Sequence, residues 1–113
     1  MIQTTSPRWE TMRTDETRHV EEVLRKAGFD QVDTYRYNLA SIRVRVIDPR
    51  FEGLSAEKRD AMIEPHLEEL PERTQADIIE LFTFAPSELL QSPKTRREFM
   101  MNLEFDDPSP SML

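Results

Sequence analysis

The chain is predicted to be an α+β domain: a three-stranded mixed sheet with helices packed on one face, in the order α-β-β-α-β-α. Three observations predict this. Apolar residues recur at three and four positions between Thr14 and Gly28, the spacing of one helix face. The stretch Ile42-Arg43-Val44-Arg45-Val46 alternates strictly, which marks a strand with one buried face. A helical stretch then separates it from a third apolar strand, so those two strands should pair in parallel through a right-handed crossover.

Residues 1–13 have no periodicity and include Pro7, and they read as a flexible arm. Trp9 either folds back onto the domain or, the weaker reading, stands exposed. The domain proper should span 14–91. Thr14 or Asp15 can cap the first helix, with Asp15 and Glu16 suited to its positive end. Val20, Val23, Leu24 and Ala27 form its stripe, and Gly28 fits a left-handed C-terminal cap. Val32–Tyr37 is rich in β-branched and aromatic residues. With a short turn at Asn38–Ser41 it makes an antiparallel hairpin with 42–46.

Ser55 should cap the second helix, whose stripe is Met62, Ile63, His66, Leu67 and Leu70. Pro65 removes a hydrogen bond there, so the helix should kink at Glu64 or restart with Pro65 in its first position. The third strand is expected over Ala76–Phe84, with a helical turn after Pro86. Ile78, Glu80, Phe82 and Phe84 fall on one side of that strand, and Ile79, Leu81 and Thr83 on the other. Apolar groups on both sides need cover. The C-terminal helix, 92–105, opening at Ser92-Pro93, offers Phe99, Met100 and Leu103. It is expected to fold onto its own sheet or to pack across a two-fold axis. The tail, 106–113, contains Pro108 and Pro110 and should be disordered.

Composition removes several classes of function. The chain has 113 residues, 37% hydrophobic and 33% charged, with net charge −7. An acidic chain needs a segregated basic patch to hold nucleic acid, and its charge disfavours anionic membranes. No cysteine is present, which removes disulfides, thiolate zinc sites and thiol catalysis. No apolar run approaches the ~18 residues of a membrane span, and the first residues lack the apolar stretch of a secretory signal. A cytoplasmic protein is expected, either a monomer or a weak homodimer.

The segment Phe51-Glu52-Gly53-Leu54-Ser55 before the second helix, Arg59 within it, and Ala85-Pro86-Ser87-Glu88 after the last strand resemble the BolA family over about residues 16–90. The resemblance implies a fold like the class II KH arrangement. Two departures bear on function. The family's Arg-His-Arg is Arg59-Asp60-Ala61 here. The His that ligates a [2Fe–2S] cluster shared with a monothiol glutaredoxin falls, counting back from Pro86, at Asp77. The hairpin loop holds neither Cys nor His, and a carboxylate suits iron–sulfur iron poorly. The resemblance with these changes implies no cluster and no other cofactor.

The candidate binding residues are Arg36, Arg43, Arg45, Arg59 and Asp77. Arg43 and Arg45 point the same way, and Tyr35, Arg36 and Tyr37 are potential neighbours. Such a face could bind RNA or an acidic peptide, or be a solvated face paired with Asp33 and Glu80. The Gly-x-x-Gly clamp of nucleic-acid-binding KH domains is absent, since the only glycines are Gly28 and Gly53. His19 and His66 could approach each other with Glu22 or Glu69 nearby, yet neither lies in a metal motif. They read as boundary histidines, and no metal site is assigned. No nucleophile motif, phosphate loop or dinucleotide fingerprint occurs, so no catalytic residue is assigned.

The reading that follows is a non-catalytic, BolA-like protein-interaction or regulatory module with an unidentified protein partner. The alternative is a nucleic-acid-binding regulator that uses an exposed sheet face.

Overall fold

The computed structural model describes residues 7–112. Its elements run α1 (Asp15–Lys26), β1 (Gln31–Asn38), β2 (Ser41–Ile47), α2 (Ala56–Leu67), α3 (Glu72–Asp77), β3 (Ile78–Phe84) and α4 (Arg96–Asp106), with 3-10 turns at Arg8–Met12, Pro49–Phe51 and Pro86–Leu89.

Local chemistry sets the helix ends. The Thr14 hydroxyl accepts from the Thr17 N–H at 3.3 Å, and the Thr17 hydroxyl accepts from the Thr14 N–H at 2.9 Å, a reciprocal cap that starts α1. Gly28 ends it at φ +98°, where a side chain would be strained. Ser55 caps α2 by accepting from the Lys58 N–H at 3.2 Å.

Helix α2 does not restart at Pro65 but runs through it to Leu67. The carbonyl that Pro65 leaves without a donor belongs to Ala61, and both residues are exposed, so water can replace the missing bond. The new helix instead follows Pro71. It takes Ala76 and Asp77 out of the expected third strand, which starts at Ile78.

The strands lie in the order β1-β2-β3. β1 and β2 are antiparallel, with Asp33 opposite Arg45 and Tyr35 opposite Arg43. β2 and β3 are parallel, with Arg45 beside Phe82. The pairing jumps from Ile42↔Ile78 to Arg43↔Glu80. This bulge puts Ile78 against the first core instead of on the side of Glu80, Phe82 and Phe84.

Each face of the sheet builds a core. On one, Val32, Ile42, Val44 and Val46 meet Val20 and Leu24 of α1 and Ile63 and Leu67 of α2, closed by Phe29 and Phe51. On the other, Tyr35, Ile47, Phe82 and Phe84 meet Trp9 and Phe105. The α+β class and mixed sheet are as the sequence predicts, and α4 folds onto its own sheet.

The face α4 uses differs from expectation. The helix begins at Arg96, three residues after Pro93, and its buried residue is Phe105. Met100 and Leu103, predicted anchors, are 55% and 46% exposed. Phe105 wins because three aromatic rings converge on it: Tyr35 at 4.7 Å, Phe82 at 5.3 Å and Trp9 at 5.7 Å between centroids. Full burial of one such ring contributes about 3 kcal/mol.

The segments predicted to be a loose arm and tail pack on this same face within the described residues. Trp9 folds back and is buried. Arg8 Nη1 donates to the Pro108 carbonyl at 3.1 Å, and the Tyr37 hydroxyl donates to the Ser109 carbonyl at 2.7 Å. Residues 1–6 of the expected arm and Leu113 of the expected tail lie outside the described residues.

Candidate functional site

The sheet face expected to display Arg43 and Arg45 is covered by α4. The two arginines are 8% and 6% exposed. Arg45 donates to Asp33 at 2.6 Å, to Asp106 at 2.5 Å and to Asn102 at 2.8 Å, and its guanidinium carbon lies 4.4 Å from the centre of the Phe105 ring. Arg43 donates to the Tyr35 hydroxyl at 3.1 Å and to Glu104 at 3.3 Å, and stacks 3.7 Å from the centre of the Tyr37 ring. Burial works against the charged form of Arg43, yet Tyr35 and Glu104 outweigh it and raise the guanidinium's pKa. Burial likewise pushes the Tyr35 phenol up, against the Arg43 bond. These groups are spent inside the fold. Among the described residues this side of the sheet is neither an exposed basic face nor a solvated one, because Glu104, Phe105 and Asp106, about sixty residues further along the chain, close over the arginines.

Arg36 and Asp77, expected as binding residues, bind each other. Arg36 Nη2 lies 2.9 Å from Asp77 Oδ2, Nε lies 2.5 Å from Glu16 Oε1, and Nη1 donates to the carbonyls of Asn38 and Leu39, both at 3.1 Å. One guanidinium thus ties α1, the hairpin and the end of α3. The hairpin turn itself is Leu39-Ala40. Asp77 has a cationic partner, and neither thiol nor imidazole stands beside it in the turn. The residues present therefore do not fit a cluster at this position.

Arg59 is also internal. It donates to Glu88 through both terminal nitrogens, at 2.7 and 2.9 Å, and to the carbonyls of Leu54 and Thr83 at 2.9 and 3.0 Å. Burial raises the Glu88 carboxyl's pKa, but the bonds from Arg59 and from the Ala85 N–H, at 2.8 Å, outweigh it and hold the carboxyl below its ordinary value. Two segments separated in sequence, the second helix and the turn after the third strand, are joined by this pair.

His19 and His66 do line one hollow between α1 and α2, together with Glu22 and Glu69. His19 is exposed, and His66 packs edge-on against Phe29 at 5.9 Å. Among the described residues no three His, Asp or Glu gather as a metal would need. His66 is half-buried, as read from sequence, whereas His19 stands in solvent.

What remains open is an edge of the sheet. β3 pairs on one side with β2. Along its other side runs a hollow of about 360 Å³, lined by Asp60, Glu64, Leu67, Glu68, Ile79 and Leu81 among others. Ile79 is 69% exposed. Burial, and then the neighbouring Glu64 charge, push the Asp60 carboxyl up.

Sequence reading missed this edge, and it missed Glu21. That residue is 1% exposed and accepts from Arg13 at 2.6 Å and from the Thr34 N–H at 3.0 Å. Its signal was the spacing Thr17, Glu21, which puts two polar residues among Val20 and Leu24 on the buried side of α1.

Comparison with protein-family models, with curated proteins and with solved structures finds no match. Among the described residues no helix is long and apolar enough to cross a membrane.

Proposed function

We propose that the chain acts by binding another protein, as a non-catalytic, BolA-like interaction or regulatory module that carries no iron–sulfur cluster. The observation that supports this best is the open β3 edge. A strand with unpaired backbone groups and an exposed Ile79, beside a hollow lined by both aliphatic and acidic side chains, is a surface that another chain can complete. Supporting it, the ionisable groups of the interior are committed to one another. Arg43, Arg45, Arg36 and Arg59 each hold a carboxylate, and among these pairs none is arranged as a nucleophile with its base. Asp77, held by Arg36 at the position where the resemblance would put a ligand, supports the reading without a cluster.

The test is site-specific photocrosslinking in native extract from position 79, with position 57 on the exposed start of α2 as the control. A protein captured from 79 and not from 57, which rebinds in purified form and is lost with Ile79→Asp, is the expected result. Equal capture from both positions, or none from 79, would remove the reading.

A further inference from the structure

The two edges of the sheet are finished differently. On β1, α1 closes the outer row. The Glu21 carboxylate accepts from the Thr34 N–H at 3.0 Å, and Arg25 Nη2 donates to the Val32 carbonyl at 2.9 Å. On β3, Arg59 caps the Thr83 carbonyl at 3.0 Å. Among the described residues no other side chain bonds to the β3 backbone, so the stretch Ile78–Phe82 is open.

Beside this open stretch, Asp60 and Glu64 of α2 and Glu68 at its C-terminal cap stand one helical turn apart and line the same hollow as Ile79 and Leu81. Among the described residues none of the three acids forms an ion pair, in contrast to the carboxylates that face the buried arginines. Carboxylates at this spacing repeat every ~6 Å along a helix. Alternate side chains of a strand repeat every ~6.7 Å. A strand laid on the β3 edge can therefore present one cation to each acid, while its alternate side chains turn to the opposite face of the sheet, where Phe82 and Phe84 build the second core.

Resting on the reading of the chain as a protein-binding module, we infer that the Ile78–Phe82 edge of β3 takes an extended partner segment as a fourth strand, one in which Lys or Arg alternates with aliphatic residues. The main chain supplies affinity through the ladder bonds, and Asp60, Glu64 and Glu68 select the charge. A second copy of this chain is a poor occupant, because it would bring its own Glu80 and its own row of acids to the same place.

The probe is a fluorescein-tagged octapeptide alternating Lys with Val, followed by anisotropy on the full chain. The double variant Glu64→Lys/Glu68→Lys, whose sites are exposed, should weaken binding about tenfold. The same peptide N-methylated at alternate amides should lose binding with its charge intact, and a Glu–Val peptide should not bind. Unchanged affinity of the N-methylated peptide would overturn strand addition in favour of unspecific charge attraction. A free protein that sediments as a dimer, and that Ile79→Lys converts to a monomer, would overturn the heterologous partner in favour of self-pairing. Failure of the peptide together with a purified partner crosslinked from position 79 would overturn the basic segment alone and leave the protein-binding function standing. Failure of both would remove that function as well.

Discussion

Phe105→Ala tests whether α4 completes the fold. Phe105 is fully buried, with three aromatic rings and the Arg45 guanidinium around it. Truncating a core phenylalanine costs about 3–5 kcal/mol through lost transfer energy and the cavity left behind. A domain of this size holds about 5–15 kcal/mol in total. At about 4 °C per kcal/mol, the midpoint should fall by about 12–20 °C. The protein carries its own reporter in Trp9, the single tryptophan, which is 5% exposed with its ring 5.7 Å from that of Phe105. Thermal melts by circular dichroism, read beside Trp emission at 20 °C, should show both the lower midpoint and a red shift in the folded protein. Leu103→Ala, at a position the sequence marked as an anchor but which is 46% exposed, should change stability by less than about 0.5 kcal/mol. A Phe105→Ala protein that melts within about 4 °C of the parent with unchanged emission would refute the packing of α4 on the sheet.

Three further outcomes follow from named contacts. Glu88→Gln should cost about 2 kcal/mol at neutral pH through its bonds to Arg59. Because the native pKa of Glu88 is depressed, that stability is present above the unfolded carboxyl value of about 4.3 and is lost as pH falls through the native value. Melts of parent and variant should therefore converge in acid, and a gap that widens there would contradict the pairing. Asp60→Asn should raise the neutral-pH midpoint, since burial and Glu64 disfavour the Asp60 charge. The gain should vanish in acid as the parent protonates, and a lowered midpoint at pH 7 would show that Asp60 has a stabilising partner. Mixing the protein with a cluster-loaded monothiol glutaredoxin should give no new visible circular dichroism, whereas a new spectrum abolished by Asp77→Ala would establish cluster binding.

The legible parts of the fold are those that neighbouring residues decide. Thr14, the Val20–Leu24 stripe and Gly28 set α1 locally, and the alternation from Ile42 to Val46 sets β2 whatever packs upon it. The fate of Arg43 and Arg45 is not local. Strand alternation shows that they share a side, but burial requires Glu104 and Asp106 to reach them from α4. Nothing within a strand's length of the arginines contains that information. The same holds for Phe105. Counting apolar residues along α4 favours Phe99, Met100 and Leu103, while the buried position is chosen by Trp9, Tyr35 and Phe82 from three distant segments. Pro65 is a different case, since of its two expected outcomes the helix does not take the restart. Its usual penalty assumes that the freed carbonyl is left without a partner, and here it lies on the wet side of α2. The open β3 edge depends on which strand ends the sheet and on what α2 presents beside it, a tertiary property with no motif.

In the proposed mode of action the sheet offers its β3 edge to partners and keeps its arginine face as a second core. Backbone and arginine Nε NMR of the full chain, titrated with the alternating Lys–Val peptide and separately with single-stranded RNA, tests it most directly. Peptide-induced shifts should be confined to 60–68 and 78–82, with the Arg43 and Arg45 Nε signals unmoved by either ligand. Shifts of those two signals on adding RNA, with β3 unaffected by the peptide, would contradict it.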